Sequence, residues 1–178
     1  HKKSGWKKKR YGKASDSRKY IEKRPETLST GHWEGDFIVS SHNACSLLVL
    51  VDRYSRHTII RRIPNRKHAV VMRAFKDSLR HMPIKTLTLD NDISFNCWKK
   101  LEQILKCEVF FCHPFHSWEK GLVENTNRWI RCFVSKRRDL RGATSLELRS
   151  IESFLNEIPR QCLGYKTAKE VLLETTSV

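Results

Sequence analysis

The chain has 178 residues, 39% hydrophobic and 30% charged, which is enough for one domain with a substantial core. Its formal net charge of +16 and pI near 9.9 favour a polyanionic partner, with nucleic acid as the default. No run approaches the roughly 18 apolar residues of a membrane-spanning helix. No signal-peptide pattern is present, so we expect an intracellular protein.

The first 30 residues are the most basic part of the chain. They hold eleven Lys or Arg and three Asp or Glu, a net charge of +8, with Trp6, Tyr11 and Tyr20 interleaved. We predict a basic arm or linker over residues 1–30 and a folded core over 31–178. Basic side chains neutralise phosphates and aromatic rings stack on bases, although a solubilising tail is the alternative. The chain begins at His1 rather than Met, so we expect it to be a fragment.

Three strand-like runs open the predicted core, at His32–Val39, Ala44–Tyr54 and His57–Ile63. The second contains five consecutive apolar residues, which is typical of a strand buried on both faces. Short connections between the runs predict an antiparallel meander.

Helices and strands alternate after the meander. We predict a helix from Arg66 to about His81 capped by Asn65, a strand at Thr86–Asp90, a helix capped by Ser94 and a strand at Glu108–Cys112. A helix follows Trp118, and capping boxes at Thr144 and Thr167 begin two more. This order predicts an α/β fold with a mixed five-stranded sheet flanked by helices.

The cysteines offer one possible metal site. Cys107, Cys112, His113 and His116 form a loose zinc-like set, but Cys107–Cys112 has the pattern of a continuous strand with no turn between ligands. We therefore favour cysteines that act as small buried hydrophobic residues in a reduced protein.

The stretch from Ser117 to Arg131 is predicted to be a loop running into a helix. On that helix an apolar stripe of Leu122, Thr126, Trp129 and Phe133 would face the core. The opposite side would carry Lys120, Glu124, Asn127, Arg128 and Arg131. One interpretation is a solvated face in which Glu124 pairs with Arg128, and the other is a metal-binding carboxylate flanked by phosphate contacts.

Two further carboxylates favour the metal interpretation. Asp36 lies between apolar residues in the first strand, where an uncompensated charge is costly, and Asp90 ends the fourth strand. If these two residues and Glu124 converge, a divalent cation relieves their repulsion. Hard oxygen ligands suit Mg²⁺ or Mn²⁺, and two such ions support phosphodiester displacement.

Several motifs then resemble the integrase catalytic core of bacterial insertion-sequence transposases, the group often called the IS-thirty family. They cover roughly residues 20–172 and are jointly specific. They are Gly31-His32-Trp33-Glu34-Gly35-Asp36, Leu50-Val51-Asp52-Arg53-Tyr54-Ser55-Arg56, Asp90-Asn91, Trp118-Glu119-Lys120-Gly121, Glu124-Asn125-Thr126-Asn127 and Cys162-Leu163-Gly164-Tyr165-Lys166-Thr167.

The resemblance implies a ribonuclease-H-like fold and a DDE motif of Asp36, Asp90 and Glu124, which are catalytic and bind two Mg²⁺ or Mn²⁺ ions. It implies an enzyme that cleaves and transfers DNA strands when a mobile element transposes. Its partners would be element ends and target DNA, bound by a homodimer or higher oligomer in the bacterial cytoplasm, in association with the nucleoid. A helix-turn-helix module normally precedes such a core. If the chain works in this way, we expect DNA contacts near the cut from Lys120, Asn125, Arg128 and Arg131, for which surface ion pairing is the alternative role of the three cations.

One departure from the family pattern leaves an alternative open. The family usually has Gly after Asp-Asn, where this chain has Asp92. Asp tolerates a positive φ, so the turn is expected to survive. An extra carboxylate would compete for metal or repel DNA, so the alternative is a catalytically inactive DNA-binding derivative. A nuclease of the same fold that cuts without joining is a third interpretation.

Overall fold

The computed structural model describes residues 17–114 and 116–176, without the side chains of Ser117 and Trp118. Most of the predicted basic arm, including Trp6 and Tyr11, lies outside the described residues. The strands are β1 (Lys19–Tyr20), β2 (His32–Val39), β3 (Ser46–Asp52), β4 (Thr58–Ile63), β5 (Thr86–Leu89) and β6 (Glu108–Phe111). The helices are α1 (His68–Leu79), α2 (Trp98–Leu105), α3 (Gly121–Phe133), α4 (Ser145–Glu157) and α5 (Ala168–Thr176).

The strands form one mixed sheet in the order β1-β6-β5-β2-β3-β4. Strands β2, β3 and β4 pair antiparallel as the predicted meander, whereas β5 pairs parallel with β2 and β6 parallel with β5. The mixed sheet with flanking helices is confirmed, but the sheet has six strands where we predicted five. The additional strand is β1, from the predicted arm, which pairs with β6 through Lys19 and Tyr20.

The apolar run of β3 lies at the centre of two cores. Alternate side chains of a strand point to opposite faces, so a strand covered on both faces needs apolar residues throughout. Leu48 and Leu50 pack in the core beneath α1 and α2, and Leu47, Val49 and Val51 pack in the core beneath α3 and α4. All five side chains are fully buried.

Helix α4 covers the edge strand β4 with polar side chains. Asn156 exchanges two 2.8 Å hydrogen bonds with the backbone of Thr58, and Glu152 accepts one of 2.7 Å from the Ile60 N–H. These contacts satisfy backbone groups that an open sheet edge leaves exposed.

Two predicted helix caps are wrong and two are confirmed. Helix α1 begins at His68, because Asn65 accepts from the Lys67 N–H in a turn before the helix. Helix α2 begins only at Trp98, because Ser94 lies within a 3-10 turn (Ile93–Phe95) that Asp92 caps. The capping boxes at Thr144 and Thr167 form as predicted.

The apolar stripe predicted for α3 is also wrong. Val123, Thr126 and Ile130 are buried, whereas Trp129 and Phe133 are 46% and 43% exposed. Apolar residues occur on both sides of this helix, so the sequence alone is compatible with either side facing the sheet. None of the helices in the described ranges is long and apolar enough to cross a membrane.

Candidate functional site

Asp36 lies on the face of β2 that meets α3. Its neighbours in the strand, Gly35 and Phe37, face the opposite core, where the Phe37 ring stacks on Phe95. Asp36 itself therefore points toward α3, in the same direction as Ile38. Its side chain is 20% exposed, so it is reachable from solvent although it begins in a central strand.

Asp90 comes directly after β5, the parallel neighbour of β2. Glu34 pairs with Thr88 in the register of these strands, so two further steps along each strand bring Asp90 beside Asp36 on the same face. Asp90 also accepts a 3.0 Å hydrogen bond from the Asp92 N–H, which orients its carboxylate.

Glu124 approaches the same place from the first turn of α3, which packs on β2 and β3. Asp36, Asp90 and Glu124 line one cleft of about 340 Å³. Residues 54 and 34 positions apart in the chain thus share a single cleft, as the carboxylate pattern predicts.

Lys120 lies between two of these carboxylates. Its ammonium nitrogen is 3.1 Å from Asp36 Oδ1 and 3.2 Å from Asp90 Oδ2, and its side chain is only 4% exposed. Burial opposes the charged form, but the charges of Asp36 and Asp90 outweigh it and raise the Lys120 pKa. The sequence placed Lys120 on the outer, polar side of the helix, and this is wrong because the side chain points inward.

Asn127 holds the other oxygen of Asp36. Its side-chain amide donates to Asp36 Oδ2 at 2.8 Å, so each oxygen of that carboxylate has a donor. In the helix predicted from the sequence, Asn127 lies on the polar face with no assigned role. Its position three residues after Glu124, on the same helical face, is the signal that would have identified it.

Asp92 is held by the protein rather than free in the cleft. Its Oδ1 accepts from the Ser94 N–H at 2.8 Å and its Oδ2 from Arg66 at 2.7 Å. Partial burial favours the protonated form, yet the hydrogen bonds from Ser94 and the charge of Arg66 lower the Asp92 pKa. Its φ is −60°, so this turn does not need the positive φ that we expected. These bonds weaken the physical reason for an inactive derivative.

Glu119 fixes the segment that leads into α3. It accepts from both the backbone and the ring of His113, at 2.8 and 3.0 Å, and His113 stacks on Tyr20 of β1. The hydrogen bond to Glu119 raises the His113 pKa. His116 also lines the cleft, with its ring Nδ1 2.9 Å from the Pro114 carbonyl.

A buried glutamate that the sequence analysis did not single out supports α3 from below. Glu34 is 4% exposed and accepts from the Val123 N–H at 3.1 Å, at the start of the helix. Burial raises its pKa, while Arg24 and Arg53 approach its other oxygen at 3.7 and 3.8 Å and oppose that shift. A carboxylate in this position satisfies an unpaired N–H of the helix end.

The predicted DNA-binding residues differ in their settings. Asn125 and Arg128 are exposed, and Lys120 is buried in the cleft. Arg131 is half-buried and donates to the Val39 carbonyl at 3.2 Å. Of the two tryptophans in the motifs, Trp33 is a core residue bonded to the Pro83 carbonyl, and the Trp118 side chain lies outside the described residues.

The donor set of the cleft suits a divalent cation. Across residues 17–114 and 116–176, no three His, Cys, Asp or Glu side chains lie close enough to hold a metal ion together. Asp36 and Asp90 nevertheless converge on one cation, the Lys120 ammonium, with hard oxygen ligands of the kind that Mg²⁺ and Mn²⁺ prefer. For one ion to bind all three carboxylates, Lys120 would have to leave and Glu124 would have to move closer to the two aspartates.

The zinc-like set takes a different form in the structure. Cys112 is buried directly after β6 and Cys107 is half-buried directly before it. Burial raises the pKa of each thiol to about 12, which disfavours the thiolate that zinc needs. Cys132 and Cys162 are exposed, so not every cysteine is the buried hydrophobic residue that we expected.

The chain is similar in sequence to transposases of bacterial insertion sequence elements. It is 33% identical over 156 residues to the transposase for insertion sequence element IS4351 of Bacteroides fragilis, which covers 84% of this chain and 48% of that protein. It is 35% identical over 147 residues to transposase InsI for insertion sequence element IS30C of Escherichia coli. That alignment covers 81% of this chain and 38% of the relative. The chain thus spans less than half the length of these relatives. No protein-family model matches it.

Solved structures resemble the chain in fold. The catalytic core domain of BIV integrase matches with a TM-score of 0.64 at 19% identity, over 82% of this chain and 95% of that one. A chain of the simian T-cell lymphotropic virus intasome, solved with a PP2A regulatory subunit, matches with a TM-score of 0.69 at 18% identity, over 86% of this chain and 57% of that one. The predicted ribonuclease-H-like fold is therefore confirmed. Across most of its length, the chain is a homologue of the transposases of bacterial insertion sequences, the family that its motifs predicted.

Proposed function

We propose that this chain is the catalytic core of a DDE transposase. Water would cleave a phosphodiester at an element end and release a 3′-hydroxyl. That hydroxyl would then attack a phosphodiester of target DNA and displace a target 3′-oxygen. The observation that best supports the proposal is the Lys120 ammonium held at 3.1 and 3.2 Å by Asp36 and Asp90, a ready-made cation position in a cleft that Glu124 also lines.

Asp36, Asp90 and Glu124 are the proposed catalytic residues and would hold the metal. When bound, two Mg²⁺ or Mn²⁺ ions supply Lewis-acid stabilisation of the attacking and leaving oxygens. Asn127 keeps Asp36 oriented through its 2.8 Å hydrogen bond, and Glu34 supports the start of the helix that carries Glu124. Lys120, once displaced from between the carboxylates, would be close enough to the cut to contact a phosphate.

DNA is the proposed partner, in the form of element ends and a target duplex. Asn125 and Arg128 are exposed on α3, and with Lys120 and Arg131 they would contact the strand near the cut. The net charge of +16 suits such a partner. Pairing two element ends calls for a homodimer or higher oligomer, and we propose that it acts on the nucleoid in the bacterial cytoplasm.

A strand-transfer assay on DNA carrying matched element ends tests the proposal. Glu124→Gln and Asp36→Asn should each lower Mg²⁺-dependent joining by at least about 100-fold, the size expected when a group that stabilises developing charge is removed. Glu157→Gln, an exposed residue of α4, is the matched control and should join like the parent chain. Unchanged joining by Glu124→Gln would reject the triad, and nicks without joined products would indicate a nuclease.

A further inference from the structure

A second cavity, of about 640 Å³, is larger than the carboxylate cleft. Leu122 of α3 and Glu34 of β2 line it, each two residues from a proposed catalytic side chain. Its charged lining comprises four cations and two carboxylates, and the cations have no place in the reaction proposed above. These charged residues are Arg24, Arg53, Arg56, Lys166, Glu34 and Glu174.

One wall is built by the turn between β3 and β4. Asp52 is fully buried and accepts hydrogen bonds from the backbones of Gly31, His32, Tyr54 and Ser55, and from the Ser55 hydroxyl. These bonds fix the turn so that Arg53 and Arg56 face the cavity.

The guanidinium of Arg56 also donates to the Arg53 carbonyl at 2.7 Å. The motif from Leu50 to Arg56 therefore holds two cations, Arg53 and Arg56, in fixed positions at the cavity.

The opposite wall is a tight loop before α5. Gly164 and Tyr165 have φ of 63° and 65°, two consecutive left-handed residues that reverse the chain. The Arg160 carbonyl accepts the Tyr165 N–H and the Arg160 N–H donates to the Lys166 carbonyl, which closes the loop. Lys166 leaves this loop into the cavity, where it pairs with Glu174 of α5 at 2.7 Å.

The cavity holds hydrogen-bonding capacity that the described residues do not use. Arg53 Nη1 and Thr27 Oγ1 are buried and have no hydrogen-bond partner within the described part of the chain. Arg24 and Arg53 lie 3.7 and 3.8 Å from the same oxygen of Glu34, too far for good hydrogen bonds. Burial lowers the Arg53 pKa, and the like charge of Arg24 lowers it further.

These cations and unpaired donors would be satisfied by an anion that has several oxygen atoms. Unpaired buried donors are costly, and arginine forks match the oxygens of a phosphate group. Glu34 meets that need only in part, since its Oε2 is bonded to α3 and its Oε1 lies 3.7 and 3.8 Å from the two guanidinium groups.

We propose that this cavity binds a phosphate of a polynucleotide strand, through Arg24, Arg53, Arg56 and Lys166. It is a second anchor for the strand, in a cavity lined by Glu34 and Leu122, each two residues from a proposed catalytic side chain. The choice of a DNA strand as the source of the phosphate rests on the proposed function, whereas the anion chemistry does not.

Binding without metal tests the anchor separately from catalysis. Fluorescence anisotropy with a labelled duplex in EDTA should show weaker binding by Lys166→Gln and Arg53→Gln than by the parent chain. Each should also lower the slope of log K against log salt by about 0.9, the value for a protein that neutralises one fewer phosphate of a duplex. Arg73→Gln, which removes an 85% exposed side chain from α1, is the matched control and should change neither quantity.

A third variant should act in the opposite direction. Glu174→Gln removes the carboxylate that now neutralises Lys166, so it should tighten binding of the same duplex about 2–5-fold, the range for one exposed ion pair. Lys166 and Glu174 are both exposed, so neither change endangers the fold even if Arg53→Gln does.

Three results would overturn the proposal. The first is a folded Lys166→Gln variant that binds the duplex with unchanged affinity and an unchanged salt slope. The second is weaker duplex binding by Glu174→Gln. The third result combines two measurements. If a deoxynucleoside monophosphate stabilised the parent chain but not Lys166→Gln, while both bound the duplex equally well, the cavity would be a site for free nucleotides instead. The binding measurements are made in EDTA, without metal. The effect of Glu124→Gln on joining therefore tests catalysis alone and leaves the phosphate anchor to be judged by binding.

Discussion

Lys120 illustrates how a single residue can hold a site together. An ammonium that is 4% exposed is stable only when negative charge compensates its lost hydration, and Asp36 and Asp90 both lie within 3.2 Å of it. The same ion pairs relieve the repulsion between the two carboxylates. Lys120 thus keeps the proposed metal ligands together before metal binds.

Replacing Lys120 with Met should destabilise the metal-free protein and increase its response to metal. We expect a decrease of about 1–3 kcal/mol in the free energy of unfolding, less than for a fully buried pair because the Asp90 side chain is 37% exposed. Urea unfolding in EDTA measures this decrease. Adding Mg²⁺ should then raise the Tm of the variant more than that of the parent, since no ammonium competes for the carboxylates.

Lys100→Met, at an exposed position on α2, provides the control for removing a lysine charge. It should match the parent in both measurements. Equal stability and an equal Mg²⁺ response for Lys120→Met would contradict the role assigned to the ammonium.

His57 should make the stability of the fold depend on pH. Burial lowers its pKa to about 4, against the attraction of Asp52, and its Nδ1 has no partner within the described residues. The unfolded chain takes up this proton near pH 6.5, but the folded chain does not do so until about pH 4. The contribution is therefore fully present above pH 6.5 and is lost as the pH falls toward 4, by at most about 1.4 kcal/mol per pH unit.

Unfolding curves at several pH values between 7 and 4 measure this contribution. His57→Gln should lose less stability than the parent over that range, because its side chain binds no proton. His81→Gln, at an exposed position, should follow the parent. A His57→Gln curve parallel to that of the parent would show that the buried ring does not titrate in this way.

At the scale of elements, α3 shows where a sequence pattern stops being informative. The spacing of Leu122, Trp129 and Phe133 suggests that their side of the helix faces the sheet. In the structure the side that carries Val123 and Ile130 is buried instead. Local spacing cannot distinguish the two. The choice depends on hydrogen bonds between residues far apart in the chain, such as Glu34 to the Val123 N–H and Asn127 to Asp36.

Adjacent residues on α3 allow a direct test of its register. Ile130→Ala should cost about 2–5 kcal/mol in unfolding free energy, because Ile130 is fully buried and a cavity remains. Trp129→Ala should cost less, although it removes more atoms, because this side chain is 46% exposed. Chemical denaturation of the two variants measures the difference, and the reverse order would restore the stripe predicted from sequence.

At the scale of the whole molecule, the sequence predicted the parts of the fold that depend on strong local patterns. The apolar run of β3 and the short turns gave the meander, and Asp36, Asp90 and Glu124 do line one cleft. It did not reveal the inward turn of Lys120, the buried Glu34 or strand β1. Each of these depends on a tertiary interaction with a distant residue, which no local spacing encodes.

The basic arm should contribute to DNA binding mainly through charge. Residues 1–16 carry seven Lys or Arg and one Asp. Deleting them should weaken duplex binding and reduce the salt slope by up to about 0.9 for each phosphate that the arm neutralises. Strand β1 remains, so the Tm should change little. An unchanged affinity and slope would make the arm a solubilising tail.

A crystal structure with bound Mn²⁺, located by its anomalous scattering, would show whether Asp36, Asp90 and Glu124 hold a metal ion together. We predict at least one ion with Asp36 and Asp90 oxygens as ligands, the Glu124 carboxylate turned into the same cleft, and Lys120 displaced from between the two aspartates. Lys120 still paired to both aspartates at saturating Mn²⁺, with Glu124 directed away, would contradict the account.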